Sequence, residues 1–337
     1  MLKSTIAVLV LIGFTFLPRS WAGVTNAVVG TCQSGTSYSS IQSAINAAQA
    51  GSTVQICPGT YVEVLTINKN LNLKGIAYST SSGAADSVII GVPSSGAPQN
   101  ASSGTWGNLA VQVLVENATA HFSNLVIDGG GGSNCSITPV GVLFQGASGS
   151  MTNSTFQDPP QCTPQVSALL DHTTNFNFST NYLRDCRSSC LEIDYGSNTT
   201  VEGNDVTSVP GSIFGISTQN LAGPITISSN IVSGLITFGI AVELSPSATV
   251  MNNLVMADVP SGAGIFLGGA TQALVQNNRL RAPSGVLIDD GGAVGNNTVT
   301  KNTMMGGLCG LQINSSNQGD TTIGNTYISE LQTVCLF

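Results

Sequence analysis

An asparagine recurs at nearly constant spacing along much of this 337-residue chain, and this repeat constrains the fold more than any other feature. The nine copies are separated by 23 to 29 residues, and the residue two positions later is apolar in eight of the nine. They are Asn124, Asn153, Asn181, Asn204, Asn230, Asn253, Asn278, Asn302 and Asn325. Self-similarity at a fixed period of about 20–50 residues is typical of stacked repeats. The sequence therefore predicts a coil whose turns lie one above another.

A short apolar segment forms a second repeat in the same region. In Val142–Phe144 and Ile240–Val242 the first and third residues are apolar, and across the copies the middle residue varies from apolar to charged. The segments follow Gly141, Ser167, Cys190, Gly215, Gly239, Gly264, Gly285 and Gly310. This alternation predicts strands with one buried face. We expect each turn of the coil to hold such a strand, a turn, a second strand ending near the Asn, and a further turn.

The asparagine column has a structural interpretation. Equivalent residues on successive turns of a parallel stack lie about 4.8 Å apart, close enough for side-chain amides to form a hydrogen-bonded ladder. Asparagine also favours turns. We therefore interpret the column as turn-building residues linked by amide hydrogen bonds, with ligand binding as the less favoured alternative.

Residues 1–22 have the features of a secretory signal peptide. Lys3 precedes the apolar run 6–17, and Ser20-Trp21-Ala22 fits a cleavage site between small residues. Without this segment the chain keeps seven basic and 17 acidic residues, a formal charge of about −10. Nucleic acid is then an unlikely partner because it requires clusters of Lys and Arg. We expect an exported protein that does not insert into a membrane; its oligomeric state is not predicted.

Residues 39–50 predict one helix. Ser39 and Gln42 have capping-box spacing, and Gly51 would stop the helix. The apolar face would consist of Ile41, Ala44, Ile45 and Ala48. A β stack has an open apolar end that must be covered, so we expect this helix to cap a single domain of residues 23–337.

These repeats, together with the segment Pro58-Gly59-Thr60-Tyr61 and Glu63 after the helix, resemble the right-handed parallel β-helix of the pectate-lyase-like superfamily. The resemblance implies an all-β fold: a single-stranded right-handed parallel β-helix with a short N-terminal capping α-helix. It supplies the handedness, which the spacing does not determine, and it makes an extracellular polysaccharide the expected partner.

The activity motifs of enzymes with this fold are incomplete here. Gln157-Asp158 and Ile193-Asp194-Tyr195-Gly196 are similar to motifs of pectin methylesterases, but the Gly-Arg-Pro-Trp segment of that family is missing from the sequence. The Gly-His-Gly and Arg-x-Lys motifs of polygalacturonases are missing too. The resemblance therefore predicts a fold without choosing an activity.

The eight cysteines predict disulfides formed in an oxidising compartment. Cys309 and Cys335 are about one turn of the coil apart and should bridge, and Cys32 should pair with Cys57. For the other four we favour Cys135–Cys162 and Cys186–Cys190. The alternative is Cys162–Cys186 with Cys135–Cys190.

A third column contains the residue that follows each repeat strand, and seven of its eight members are acids or amides. They are Gln145, Asp171, Asp194, Gln219, Glu243, Gly268, Asp289 and Asn314. Asp171 and Asp194 belong to neighbouring turns, so their side chains should lie about 5–6 Å apart. Glu192 precedes Asp194 by two residues and should share its outward face.

This edge of the coil is the predicted site. In a pair of neighbouring carboxylates one pKa is raised, which suits general acid and base work on a glycosidic or ester bond. A lyase version would have the acids hold Ca²⁺ against a uronate, while Arg184 or Arg187 takes a proton. The predicted catalytic residues are Asp171, Glu192, Asp194, Arg184 and His172, and the predicted substrate-binding residues are Arg187, Tyr195 and Glu243. The alternative is that the acids only accept backbone hydrogen bonds in turns.

Two functional hypotheses follow. The first is a secreted protein that binds, and cleaves as a lyase or hydrolase, a polysaccharide at the acidic edge. The second is a non-catalytic surface scaffold or adhesin of the same fold. Aromatic residues are 6% of the chain and none recurs in register in our reading, which slightly favours the second.

Overall fold

In this computed structural model, residues 23–76, 78–79, 85–130, 135–159, 162–289, 295–313, 319–329 and 332–336 are described. The predicted signal peptide and Asn314 lie outside these ranges.

The strands are short and numerous. Up to residue 91 they are β1 (Val24–Val29), β2 (Thr36–Tyr38), β3 (Ala48–Ile56), β4 (Gly59–Val62), β5 (Leu65–Ile67), β6 (Leu71–Gly75), β7 (Tyr78–Ser79), β8 (Ala85–Asp86) and β9 (Val88–Gly91), with the helix α1 (Ile41–Ala47) between β2 and β3. Next come β10 (Gln99–Ser103), β11 (Gly107–Glu116), β12 (Thr119–Ser123), β13 (Val126–Asp128), β14 (Thr138–Gln145), β15 (Ser148–Thr152), β16 (Thr155–Gln157), β17 (Val166–Asp171), β18 (Phe176–Ser179), β19 (Tyr182–Cys186), β20 (Ser189–Asp194), β21 (Thr199–Glu202) and β22 (Asp205–Gln219). The remainder are β23 (Ile225–Ser228), β24 (Ile231–Glu243), β25 (Ala248–Met251), β26 (Leu254–Ala257), β27 (Ala263–Gly268), β28 (Leu274–Gln276), β29 (Arg279–Asp289), β30 (Thr298–Thr300), β31 (Thr303–Ile313), β32 (Thr321–Ile323), β33 (Thr326–Ser329) and β34 (Gln332–Leu336).

Two large sheets run the length of the coil. The first has 13 strands in the order β2-β1-β3-β6-β12-β15-β18-β21-β23-β25-β28-β30-β32. The second has 19 strands and covers two faces, because long strands such as β22 bend and pair with both β19 and β20. Pairing along the coil is parallel, whereas β10–β11 and β7–β8 are antiparallel hairpins. The predicted parallel β-helix is confirmed.

Each complete turn holds three strands, not two. In one turn β20 ends at Asp194, β21 follows, and β22 begins at Asp205 directly after Asn204. The sequence analysis missed the strand after the asparagine because it adds only one inward apolar side chain, here the fully buried Val206.

The predicted alternation of the repeat strands is confirmed. Val142 and Phe144 of β14 point into the coil and belong to its continuous apolar core, and Leu143 belongs to a separate cluster on the outer face. Their equivalents on the next turn are Ala168, Leu170 and Leu169. The coil therefore has an apolar interior and a second, smaller apolar area outside.

The asparagine ladder is present from Asn181 to Asn325. Each side-chain oxygen accepts hydrogen bonds from the backbone N–H and the side-chain amide of the Asn one turn earlier, at 2.8–3.1 Å. Each side-chain amide also donates to a main-chain carbonyl, as Asn253 does to Ile227 at 3.0 Å. The turn-building interpretation is confirmed for these seven residues.

The first two asparagines lie outside the ladder, so the predicted register was wrong by one residue there. Asn124 and Asn153 have φ values of 59° and 47°, and the residues that follow them, Leu125 and Ser154, occupy the column. Asparagine tolerates the left-handed conformation and also forms the ladder, so residue type alone cannot distinguish the two positions.

Helix α1 is shorter than predicted. Its N-cap is Ser40, not Ser39, and accepts from the backbone N–H of Ser43. The carboxylate of Glu63 accepts from the first two helical N–H groups at 2.8 and 3.0 Å, a partner distant in sequence. The helix ends at Ala47 because β3 begins before Gly51.

The helix buries Ile41, Ala44 and Ile45 and contacts β1, β2, β3 and β5; its role as a cap stays a prediction. Among the residues described, no helix is long and apolar enough to cross a membrane.

All four favoured disulfides are present: Cys32–Cys57, Cys135–Cys162, Cys186–Cys190 and Cys309–Cys335. The last joins β31 to β34, which pair in parallel as predicted for the final strand. Four bridges are typical of a protein that folds in an oxidising compartment.

Candidate functional site

The third column has the predicted register. Gln145, Asp171, Asp194, Gln219 and Glu243 pair in succession across five neighbouring turns. Parallel strands lie about 4.8 Å apart, so the coil stacks Asp171 directly beside Asp194.

The carboxylates of this column are buried, contrary to the expectation of an exposed edge. Asp171, Glu192 and Asp194, here called the carboxylate cluster, are at most 2% exposed. They are covered by the hairpin of β10 and β11, whose tip comprises residues 102–107. Residues 93–107 are rich in Ser and Gly and carry no strand pattern in the sequence, so the hairpin could not be predicted.

The hairpin tip contacts residues that adjoin the cluster at three points. Nε2 of Gln145 donates both to the carbonyl of Ser102 and to Oδ2 of Asp171, at 2.8 and 2.9 Å. A Cβ on Gly104 would lie 3.7 Å from the Tyr195 hydroxyl. Trp106 packs on the outer apolar cluster that includes Leu169, the residue beside Glu192 on the next turn.

Asp171 and His172 form a pair. Nδ1 of His172 lies 2.6 Å from Oδ1 of Asp171, and the imidazole is 60% exposed whereas the carboxylate is buried. Nδ1 of His172 is the nitrogen that faces the carboxylate, so Nε2 is the nitrogen free to face solvent. His172 is therefore the member of the site that solvent can reach.

The environment of Glu192 favours its protonated form. Burial raises its pKa well above the ordinary value, and the charge of Asp194 raises it further. Oγ of Ser189 donates to its Oε2 at 3.0 Å, which opposes the shift without cancelling it. This environment therefore favours the protonated form of Glu192.

Asp194 has the fewest hydrogen bonds of the three groups in the cluster. Neither of its buried oxygens has a hydrogen-bond partner among the described residues. Burial raises its pKa to about 6; Asp171 adds to the rise, while Thr105, Glu192 and His172 oppose it. Thr105 and Glu192 approach, yet no donor meets either oxygen in hydrogen-bonding geometry.

The residues that follow the two aspartates have strained backbones. His172 and Tyr195 both have a φ of 53°, and their rings stack with centroids 4.6 Å apart. Left-handed φ in a bulky residue is uncommon and clusters at functional sites. Tyr195 therefore stacks on His172 beside the carboxylate cluster, and its substrate-binding role stays a prediction.

The predicted arginines are engaged elsewhere. Nη2 of Arg184 lies 3.4 Å from Oδ2 of Asp205, and its guanidinium lies over the ring of Tyr182. Arg187 donates its backbone N–H to the side chain of Gln165. Neither contact involves the carboxylate cluster, so we leave both arginines out of the proposed site.

Glu243 extends the site along the coil. It lies two turns beyond Asp194, and burial followed by the charge of Asp194 raises its pKa. Within the described ranges, no three His, Cys, Asp or Glu side chains converge in a way that could hold a metal ion. We therefore assign no Ca²⁺ to the cluster.

One pair of aromatic side chains repeats in register, contrary to the sequence-based interpretation, and a third ring stacks on it out of register. Phe214 and Phe238 pair on β22 and β24 and stack at 5.8 Å; Phe238 also stacks on Phe266 at 4.6 Å. All three are half-buried. The spacings of 24 and 28 residues were the available signal.

The pectin methylesterase motifs do not assemble. Gln157 ends β16 and donates to Asp128, and Asp158 follows on the exposed side. Asp194 ends β20, which pairs with β17 and β22 instead.

Comparison with known proteins defines the family. The model of the right-handed β-helix region matches residues 112–280, and this chain belongs to that family. A comparison with curated protein sequences found no match.

Solved structures share the fold at low sequence identity. A lidless form of DFA-IIIase from Arthrobacter chlorophenolicus A6 in complex with GF2 is 14% identical, with a TM-score of 0.58 over 94% of this chain and 92% of that one. A mutant of the periplasmic alginate epimerase AlgG is 14% identical, with a TM-score of 0.53 over 85% and 73%. The Dettilon tailspike protein is 12% identical, with a TM-score of 0.51 over 88% and 64%. At these identities the likeness concerns the fold.

Proposed function

We propose that this protein is exported and that it binds an extracellular polysaccharide at the carboxylate cluster and cleaves a glycosidic bond there. One observation carries the proposal: the carboxyl groups of Asp194 and Glu192 lie side by side and are both buried, and burial raises the pKa of each. The four disulfides support export, and an alginate epimerase with this fold supports a carbohydrate substrate.

A purely structural role explains Asp194 poorly. A buried carboxylate that accepts no hydrogen bonds destabilises a fold, typically by about 1–3 kcal/mol or more. An aspartate that built a turn would instead accept backbone N–H groups. Unsatisfied and strongly perturbed acids occur preferentially at functional sites.

The two acids suit different roles. The raised pKa of Glu192 favours its protonated form, which can protonate the leaving oxygen of a glycosidic bond. Asp194 ionises above about pH 6 and can act as base or nucleophile on the opposite side of that bond. His172, oriented by Asp171, can exchange protons between the site and solvent.

An activity panel tests this assignment. Reducing ends released from neutral glycans, pectin and alginate would be measured at pH 7 for the wild type, Glu192→Gln and Asp194→Asn. We expect each substitution to lower kcat at least 100-fold on the substrate that the wild type cleaves, because each removes a proton-transfer partner.

Asp205→Asn is the matched control. This acid pairs with Arg184 outside the site, so its loss should change kcat less than twofold. Full activity in Asp194→Asn would contradict the proposed site.

The scaffold hypothesis has one observation in its favour: the cluster is covered in this structure. It predicts saccharide binding without bond cleavage. Binding that persists in Glu192→Gln and Asp194→Asn, with no product from any glycan, would favour that function.

A further inference from the structure

The hairpin tip is held over the carboxylate cluster by few interactions. The base of the hairpin is firmly paired: the side chain of Asn100 donates to the carbonyl of Val111 and accepts from its N–H, at 2.9 and 2.8 Å. At the tip, by contrast, Gln145 donates to the carbonyl of Ser102 at 2.8 Å, and the side chain of Thr105 approaches Asp194. Thr105 and its neighbour Gly104 are exposed. The base can therefore stay paired while the tip moves.

The surfaces that face each other beneath the tip both carry unsatisfied polar atoms. Nε1 of Trp106 is buried without a hydrogen-bond partner among the described residues. Neither oxygen of Asp194 has a donor in hydrogen-bonding geometry among the described residues. Buried polar groups without partners are rare because each costs free energy. A donor on one side and acceptors on the other therefore indicate a place for a hydroxyl-bearing ligand.

Resting on the proposed function, we propose that the hairpin tip opens to admit the polysaccharide and that Trp106 is a substrate-binding residue. The indole then donates its N–H to a sugar hydroxyl and covers the apolar face of the ring, while hydroxyls of the same sugar donate to Asp194. Tryptophan suits this position because it combines a large apolar surface with one donor.

The charges around the tip identify the substrate class as a neutral saccharide. The cluster and Glu243 place four carboxyl groups along this edge, and residues 99–107 contain no charged side chain. Of the two arginines nearest in sequence, Arg184 is paired with Asp205, and Arg187 contacts Gln165 through its backbone N–H. A polyuronate would bring further negative charge to a site without a counter-ion, and like charges there repel.

Opening can be measured without any ligand, because Trp106 is the single tryptophan of the exported protein once residues 1–22 are removed. Ionised Asp194 is poorly accommodated under the tip, so the open state should gain population as pH rises through about 6. The groups facing Asp194 are Asp171 and His172 from β17, Glu192 from its own strand and Glu243 from β24.

Acrylamide quenching of Trp106, normalised to the excited-state lifetime, would be measured at pH 4.5 and 7.5 for the wild type and Asp194→Asn. We expect the quenching constant of the wild type to rise at least twofold between these values and that of the variant to stay low. Equal quenching of the wild type at both pH values, or the same rise in the variant, would overturn the opening.

The binding role of Trp106 is tested in the Glu192→Gln background with neutral and uronic oligosaccharides, by calorimetry. Trp106→Ala should weaken binding of the neutral ligand at least tenfold and Trp106→Phe by less, because Phe keeps the ring and loses the donor. Tyr182→Ala, at an exposed aromatic beside Arg184, is the control and should bind normally.

Wild-type affinity in Trp106→Ala, or preference for the uronic ligand, would overturn this assignment even if the glycan is cleaved. Binding that depends on Trp106 without cleavage by the wild type would instead contradict the catalytic part of the proposed function.

Discussion

The left-handed residue after each repeat strand shows how one position can serve either folding or function. In seven successive turns it is Asn117, Gly146, His172, Tyr195, Asn220, Leu244 or Gly269, with φ between 47° and 61°. Asparagine and glycine adopt this conformation readily, whereas other residues lose about 1–2 kcal/mol. Leu244 has this unfavourable conformation at a surface position. His172 and Tyr195 have it beside the carboxylate cluster, where their rings stack on each other.

Replacing the strained residues separates the two roles. Leu244→Asn should raise the free energy of unfolding by about 1 kcal/mol, because the new residue tolerates the backbone. Tyr195→Asn should raise it by less, since the stacking on His172, worth about 0.5–1.5 kcal/mol, is lost. Denaturant unfolding and kcat/KM measured together check this.

Activity distinguishes the two variants. Leu244→Asn should keep wild-type kcat/KM and Tyr195→Asn should lose at least tenfold. Equal activities would remove Tyr195 from the site.

At the scale of elements, the asparagine ladder ties one turn to the next. Asn253 accepts two hydrogen bonds from Asn230 and donates to Asn278 and to the carbonyl of Ile227, all in the interior. Replacing it therefore leaves several buried groups without partners at once.

Asn253→Ala should lower the free energy of unfolding by about 3–5 kcal/mol, since each buried group left unpaired costs about 1–3 kcal/mol. Asn177→Ala, on an exposed position of β18, should change it by less than about 0.5 kcal/mol. Urea denaturation of both variants checks the difference. Similar effects would show that the ladder adds little to stability.

The repeats explain why so much of the fold could be predicted from the sequence. Constant spacing places Asp171 beside Asp194 and Cys309 near Cys335 irrespective of the loop conformations. Both predictions were confirmed. The cover over the cluster could not be predicted. Residues 99–107 pack onto strands some 60 to 90 residues further along the chain, and their sequence carries no period that reveals this contact.

The same limit applies to individual side chains. Arg184 and Asp194 are ten residues apart, yet Arg184 lies on β19 and Asp194 on β20, and these strands pair with different segments of β22. The repeat period predicted that Arg184 lies at the site. The third strand in each turn, which the prediction did not include, places Arg184 elsewhere.

At the scale of the whole molecule, the coil distributes stability and chemistry differently. Its interior is a continuous apolar core supported by the ladder and four disulfides, which supplies a rigid frame. Such a frame can accommodate a locally unfavourable group, and active sites commonly reduce stability in this way. We therefore infer that Asp194 lowers the free energy of unfolding.

The stability of Asp194→Asn tests that claim most directly, and it needs no substrate. A carboxyl group whose pKa is raised from 3.8 to about 6 in the folded protein stabilises the fold fully below pH 3.8 and loses that contribution as pH rises through 6. Between pH 4.5 and 7.5 the loss is about 2 kcal/mol, and the raised pKa of Glu192 acts in the same direction.

The measurement is the free energy of unfolding of the wild type and Asp194→Asn at pH 4.5 and 7.5, by urea denaturation. We expect the variant to be the more stable protein at pH 7.5, and its advantage to shrink by about 2 kcal/mol at pH 4.5. A variant that is less stable than the wild type at pH 7.5 would show that Asp194 holds the coil together, and would contradict the account.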